Sequence, residues 1–301
     1  MKYFIQIIYL VILTTSICHS QVANENELLL SKTFRFIYGQ EYILKTIKHS
    51  YPELKTEAEN AELAFNSVFG TAVDNIYIET ERLYHNNYDT FLTTIKSELS
   101  ELSKHKQKSK QDAIGFFNHV NKRAQGYIKS PFLEVLLANK YKNNPIDEFL
   151  DNYINTYNII SFSNSKKIDL SLKIPISWKE LDGNSPTTLK KFRSEYGTGN
   201  TIITLSTKML PKVNFSSNNS VQISQFDEMN PITGSVLNKN IVKYILLSEN
   251  TKFQIKLTVY GSSYTEIDLQ FEKFNPLFKS IIKSIQLEKE NKENNLLTYK
   301  I

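Results

Sequence analysis

The chain has 301 residues, 36 Lys and Arg against 31 Asp and Glu, a formal net charge of +5 and a single cysteine. Such a charge is too mild for a nucleic-acid binder, which concentrates basic residues on one face, and one cysteine excludes an internal disulfide framework. A chain this long can bury two cores.

Residues 1–20 begin with one cation, Lys2, followed by an apolar run from Tyr3 to Leu13 broken only by Gln6 and a polar stretch from Thr14 to Ser20. That order is the order of a cleavable secretory signal. The run falls short of the about 20 residues that a permanent span needs. A cut after Ser20 gives a mature chain of 281 residues (301 minus 20), starting at Gln21, free of cysteine, and carrying a net charge of +4 once Lys2 is lost from the +5. A lipid anchor at Cys18 is not expected, because the branched Ile17 stands where a lipoprotein cut needs a small residue. The expected destination is the periplasm or the exterior, with no transmembrane span in the mature chain.

From Leu28 to Ile47, two stripes repeat every seven positions: Leu29, Phe36, Ile43 and Leu30, Ile37, Leu44. They predict one helix with a broad buried face, closed by Pro52. A second helix carries Leu54, Ala58, Ala61, Phe65 and Val68, and its phase runs on through Gly70 toward Leu83. A third carries Tyr88, Phe91, Ile95, Leu99 and Leu102; a fourth carries Ile114, Phe117, Val120 and Ala124, with Gly126 placed to cap it. Ser130-Pro131 and Asn144-Pro145 open two short helices.

Past residue 158 the apolar period changes. Ser161 to Ser165 reads as a polar joint, and Ile168, Leu170, Leu172 and Ile174 then alternate with polar residues as a half-buried strand. Further strands read at Lys191–Glu195, Thr201–Ser206, Ile241–Leu247 and Phe253–Tyr260, with a hairpin turn at Glu249-Asn250. Pro211 to Gly234 reads as an exposed loop, and Asn275-Pro276 as the start of a final helix containing Leu277, Phe278, Ile281, Ile282 and Ile285. The expected organisation is a signal at 1–20, a helical domain at 21–158, an α+β domain at 159–288 and a polar tail at 289–301.

The stretch Ile174-Pro175-Ile176-Ser177-Trp178, the antiparallel strands after it, and the closing Pro276-Leu277-Phe278 and Ser284-Ile285 resemble the PsbP-like α/β/α sandwich. The whole chain also resembles an uncharacterised family of exported bacterial proteins in which a helical half precedes such a domain. It shares Ala-Glu-Leu-x-Phe-Asn at Ala61–Asn66 and Ser-Pro-x-Leu-Glu at Ser130–Glu134. The resemblance implies a fold class of an all-helical domain followed by an α/β/α sandwich with an antiparallel sheet. It also implies a binding or assembly role, and it implies no catalytic residue.

Motifs for chemistry are sparse. His49, His85, His105 and His119 include no pair four apart, as zinc proteases require. Glu81 and His85 read as an ordinary surface pair, and His119 as the flank of an apolar stripe. Gly197-Thr198-Gly199-Asn200 falls between two strands and reads as a turn, not a phosphate cradle. Glu79/Glu81 and Asp147/Glu148 fall where solvated helix faces are expected. No metal, cofactor or catalytic residue is assigned.

Two surface features remain. Lys104, His105, Lys106, Lys108 and Lys110 form a basic run that reads as a solvated interhelical loop or, more sharply, as a contact for anionic lipid headgroups or an acidic partner. Tyr38, Tyr42, Tyr153 and Tyr157 read as packing residues or as the rim of a groove, since tyrosine suits a boundary between apolar and wet surfaces. Trp178 reads as a core plug. The functional expectation is a non-enzymatic accessory or binding protein of the bacterial envelope, contacting an envelope protein or lipid surface. A carboxylate-dependent hydrolase of an envelope polymer and an apolar-ligand carrier are the alternatives.

Overall fold

The computed structural model describes residues 25–104, 109–127, 131–163, 166–183, 185, 187–209, 222–229, 236–248 and 251–287. Residues 1–20, where a signal is expected, Cys18, Lys106, Lys108 and the expected tail at 289–301 lie outside them. The chain divides into two compact units, Met1–Lys142 and Asn143–Ile301. The division falls earlier than the boundary expected after residue 158, because the helix opened by Pro145 packs with the second unit's elements.

The first unit is helical: α1 (Glu25–Ser50), α2 (Lys55–Tyr84), α3 (Tyr88–Lys104), α4 (Lys110–Ala124) and α5 (Pro131–Lys140). Of the α1 stripes, Phe36, Ile43, Leu30, Ile37 and Leu44 are buried. The α2 helix packs against α1, α4 and α5 through Ala58, Ala61, Phe65, Phe69, Ala72, Val73 and Ile76. Small and large residues interdigitating along one stripe let three neighbours approach a single helix. The stripe passes through Phe69 rather than the expected Val68, which is only half-buried. Gly70 does not break α2, and a Cβ built there meets nothing within 4 Å. Gly70→Ala is therefore expected to stabilise this unit by about 0.5–1 kcal/mol, measurable as a rise in the midpoint of its helical melt.

A sharp turn joins α2 to α3. His85, at φ 43° and ψ −115°, donates its amide to the Glu81 carbonyl and redirects the chain from α2 into α3. The Glu81–His85 relation is thus a backbone cap. Ser109 accepts from the Asp112 amide while the Asp112 carboxylate accepts from the Ser109 amide, a reciprocal cap that starts α4. Gly126, at φ 71°, follows α4 as expected for a C-terminal cap.

In the second unit, α6 (Pro145–Leu150) leads to β1 (Ile154–Ser163) and β2 (Lys166–Pro175), which pair antiparallel with Tyr157 opposite Leu172 and Ile159 opposite Leu170. The expected polar joint is therefore the end of a hairpin. β2 also pairs with β9 (Gln286–Leu287). A six-stranded antiparallel sheet has the order β3-β4-β5-β8-β7-β6, built from β3 (Lys179–Leu181), β4 (Thr188–Arg193), β5 (Thr201–Met209), β6 (Gln222–Met229), β7 (Val236–Ser248) and β8 (Thr251–Tyr260). The stretch expected as a loop between Pro211 and Gly234 contains β6, a strand that takes its register from β7. The β7 and β8 strands close on Ser248 opposite Thr251, and the expected turn at Glu249-Asn250 lies outside the described residues.

The last helix, α7 (Tyr264–Lys283), starts eleven residues before Asn275-Pro276, which lie inside it. The reason is local. The Ser263 hydroxyl accepts from the Glu266 amide at 3.2 Å, and the Glu266 carboxylate accepts from the Ser262 amide at 2.8 Å. These bonds nucleate the helix upstream, and Pro276 merely omits one internal donor. Ser263→Ala is expected to cost about 1 kcal/mol, seen as a lower denaturant midpoint for this unit. One continuous core joins Leu170, Leu172 and Ile174 of β2, Phe192 of β4, Ile203 and Leu205 of β5, the inward side of β8 and the Phe271–Ile282 stripe of α7. Trp178 plugs it edge-on to Phe274, with ring centroids 5.7 Å apart.

Candidate functional site

In the helical unit, the antiparallel run of α1 along α2 sets Ser31 against Tyr84 (2.9 Å between hydroxyls) and Glu41 against Tyr77, whose hydroxyl donates to the Glu41 carboxylate at 2.7 Å. Tyr38 lies on α1 between these contacts. Phe34, fully buried, is the floor of an aromatic cluster. Its ring centroid is 6.0 Å from Tyr38, 4.7 Å from Tyr77 and 6.2 Å from Tyr88 at the start of α3. Phe91 closes the far side at 5.5 Å. The three tyrosines are only half-buried, so apolar ring surface lies below and hydroxyls lie at the boundary with water.

The electrostatics of this seam are one-sided. Burial raises the Glu41 carboxyl above its ordinary value and the Tyr77 hydroxyl donation opposes that rise, while Glu62 and Asp74 push it further up. Burial also raises Tyr38, with the Glu41 charge adding to it, and raises Tyr88, with Glu81 adding to it. Other carboxylates of the unit have cations: Glu98 with Arg35 at 2.6 Å, Glu62 with Lys48 at 2.7 Å, and Glu79 with Lys142 at 2.6 Å. Among the described residues Glu41, Asp74, Glu81 and Asp89 have no cationic partner.

Of the expected contact residues, the structure thus brings Tyr38 into a cluster. Tyr42, one turn further along α1, is half-buried and gives its carbonyl to the Thr46 hydroxyl at 2.8 Å. Tyr153 and Tyr157 belong to the second unit, where Tyr157 packs edge-on to Phe192 at 4.6 Å. They do not share a rim with Tyr38 and Tyr42 within either unit. Of the basic run, Lys104 ends α3, and the side chain of Lys110 is exposed and sits 3.3 Å from Glu53. Lys106 and Lys108 lie outside the described residues. His119, half-buried on α4, is lowered by burial and by Arg123 and Lys122.

The second unit holds a group that sequence reasoning misplaced. Glu148, expected on a solvated face, is 2% exposed. Its Oε1 accepts from the Ser177 amide at 2.8 Å and its Oε2 from the Ser177 hydroxyl at 2.6 Å. Burial pushes its carboxyl up to about 7 against these hydrogen bonds, which act to lower it. The same Ser177 gives its carbonyl to the Tyr196 amide at 2.6 Å. Glu195, Tyr196 and Gly197 follow one another at φ 52°, 46° and 97° in the β4–β5 connection. A Cβ at Gly197 would meet the Lys179 side chain at 2.9 Å, so a close approach as well as a left-handed backbone demands glycine. Glu148 is therefore the anchor of a tight corner, with both oxygens occupied by Ser177. Among the described residues no group of three or more His, Cys, Asp or Glu is placed to hold a metal ion.

No family model matches the chain, and no curated protein matches it. Solved structures that are similar in part include the following two. A crystal structure from Bacteroides thetaiotaomicron VPI-5482 is 12% identical, with a TM-score of 0.25 over 40% of this chain and 46% of that one, so the chain spans about half of its length. The solution structure of cyanobacterial PsbP (CyanoP) from Synechocystis sp. PCC 6803 is 11% identical, with a TM-score of 0.28 over 45% of this chain and 93% of that one.

Proposed function

We propose that the protein is a non-enzymatic, exported accessory protein of the bacterial envelope and that its helical unit makes the contact through the Tyr38–Glu41–Tyr42 face. The observation that carries this reading is the seam of half-buried tyrosines beside carboxylates without cations. Tyrosine offers large contact area with few rotors to freeze, and uncompensated charge at a surface favours a partner of opposite sign. Export is supported by the order of charge, apolar run and small residues over 1–20. The buried Glu148 carboxylate is held inside the fold by Ser177, which supports a structural role for it.

Fractionation tests both halves of the proposal. The mature chain from envelope extract is expected to begin at Gln21, and an intact Met1 terminus in the cytoplasm would overturn export. A folded Y38A/Y42A double variant is expected to lose retention on washed envelope preparations, whereas unchanged retention would remove the contact face.

A further inference from the structure

We infer that the open edge of β1 is a self-association surface, on which a second copy of this chain lays its own β1 antiparallel. This edge belongs to the second unit and is independent of the contact face on the helical unit. β1 is an end strand of the β1-β2-β9 sheet, and its ten residues pair with β2 without a register shift. The Ile176 amide donates to the Tyr153 carbonyl at 3.0 Å. Lys173, opposite Thr156, turns its amide the other way, to the Ser284 hydroxyl at 3.0 Å. Backbone groups alternate sides along an antiparallel strand. Odd-numbered residues of β1 therefore bond β2, while Ile154, Thr156, Asn158, Ile160 and Phe162 turn their amides and carbonyls to the open edge. Thr156, Asn158 and Ile160 are exposed, Ile160 at 58%.

A row of open amides and carbonyls is a template for another strand, and proteins ordinarily blunt it with short length, charge, proline or a bulge. The other sheet edges among the described residues carry these devices. β3 has three residues, two of them charged, and β9 has two residues. β6 contains Asp227 and Glu228 and slips register between Glu228 and Met229. β1 has none of them: from Tyr153 to Ser165 there is no charged residue, proline or glycine. This composition suits a second copy in particular, because a strand that meets itself sets like beside like at the two-fold axis, and here no charge opposes it. The register that uses all five open residues is centred on Asn158. It sets Asn158 against its own equivalent, Thr156 against Ile160 and Ile154 against Phe162. The Thr156–Ile160 pair joins two β-branched residues, a favourable cross-strand match, and the seam is isologous and closes on a dimer.

The test is sedimentation velocity of the mature chain, Gln21 to Ile301, over a range of concentrations. A monomer–dimer equilibrium with a Kd of about 1–100 μM is expected, as suits a small interface. Asn158→Lys and Asn158→Asp each set like charges against each other at the two-fold axis, and each alone is expected to weaken the dimer about tenfold. An equal mixture of the two variants is expected to recover association, which a misfolded variant could not do. Cysteine substitution reads the register, since the mature chain has no other cysteine. Paired Asn158 positions lie about 5.5 Å apart between Cα atoms, within disulfide reach, whereas the two Thr156 positions are offset by four residues, about 13 Å. Asn158→Cys is therefore expected to cross-link on mild oxidation well ahead of Thr156→Cys. A wild-type chain that stays monomeric up to about 1 mM would overturn the inference. A dimer that Asn158→Lys leaves intact, or one that Thr156→Cys cross-links as readily as Asn158→Cys, would overturn it as well.

Discussion

The stability of the second unit in wild-type protein, relative to a Glu148→Gln variant, is expected to fall by about 3 kcal/mol between pH 4.5 and pH 8. The sign follows from the burial of Glu148. Its carboxyl is raised from 4.5 to about 7 in the folded chain. Between those values the folded state holds a proton that the unfolded state releases, so raising the pH favours unfolding. The stabilisation is complete below 4.5 and lost as the pH rises through 7. At about 1.4 kcal/mol for each pH unit of that gap, the loss is about 3 kcal/mol. Glutamine keeps the shape and one acceptor for the Ser177 amide, while its own amide donates to the Ser177 hydroxyl, so no ionisation remains. Glu148→Ala should be about 1–3 kcal/mol less stable than Glu148→Gln at every pH, because the Ser177 amide is left buried and unpaired. Denaturant unfolding at each pH can be followed by Trp178, the sole tryptophan, which is buried one residue from Ser177. A difference between wild type and Gln that stays constant from pH 4.5 to 8 would refute the account.

Phe34→Ala is expected to destabilise the helical unit by about 3–5 kcal/mol. Phe34 is fully buried and meets Tyr38, Tyr77, Tyr88 and Phe91. Truncation thus removes the common neighbour of residues on three helices, and those rings cannot all collapse into the space. The cost should be read from the helical circular-dichroism transition. A loss under about 1 kcal/mol would show that the aromatic cluster is loosely held and unable to orient the Tyr38 and Tyr88 rings.

The helical unit was legible because its core positions repeat at helical spacing, as the Phe36–Ile43 and Ile37–Leu44 pairs illustrate. Tyr38 stood out as a boundary residue, but its neighbours Tyr77 and Tyr88 did not, since they join it only through the antiparallel pairing of α1 with α2 and the turn at His85. Glu148 was hidden for a related reason. An Asp-Glu pair just after Asn-Pro has the composition of a solvated first turn, and the group that satisfies it, Ser177, comes 29 residues later. The β6 strand lacks an apolar alternation of its own, since Gln222–Met229 is mostly polar, and its conformation comes from β7. The early start of α7 was readable in Ser263 and Glu266, three residues apart, but Pro276 drew the boundary downstream.

The order of the large sheet bears on how the second unit assembles. Its centre is the β5–β8 ladder, in which Met209 faces Thr251, so the whole of residues 210–250 must be looped out before that ladder can close. Closing a flexible loop of about 40 residues costs roughly 3 kcal/mol of chain entropy. The β6–β7 hairpin lies within that loop, and β7 also borders β8; once formed, it shortens the free chain and presents a ready edge to β8. The tyrosine seam has no comparable obstacle, because it is built from α1, α2 and α3, which follow one another along the chain. A nascent chain emerging N-terminus first would therefore carry a finished tyrosine seam while its sheet was still waiting for β8.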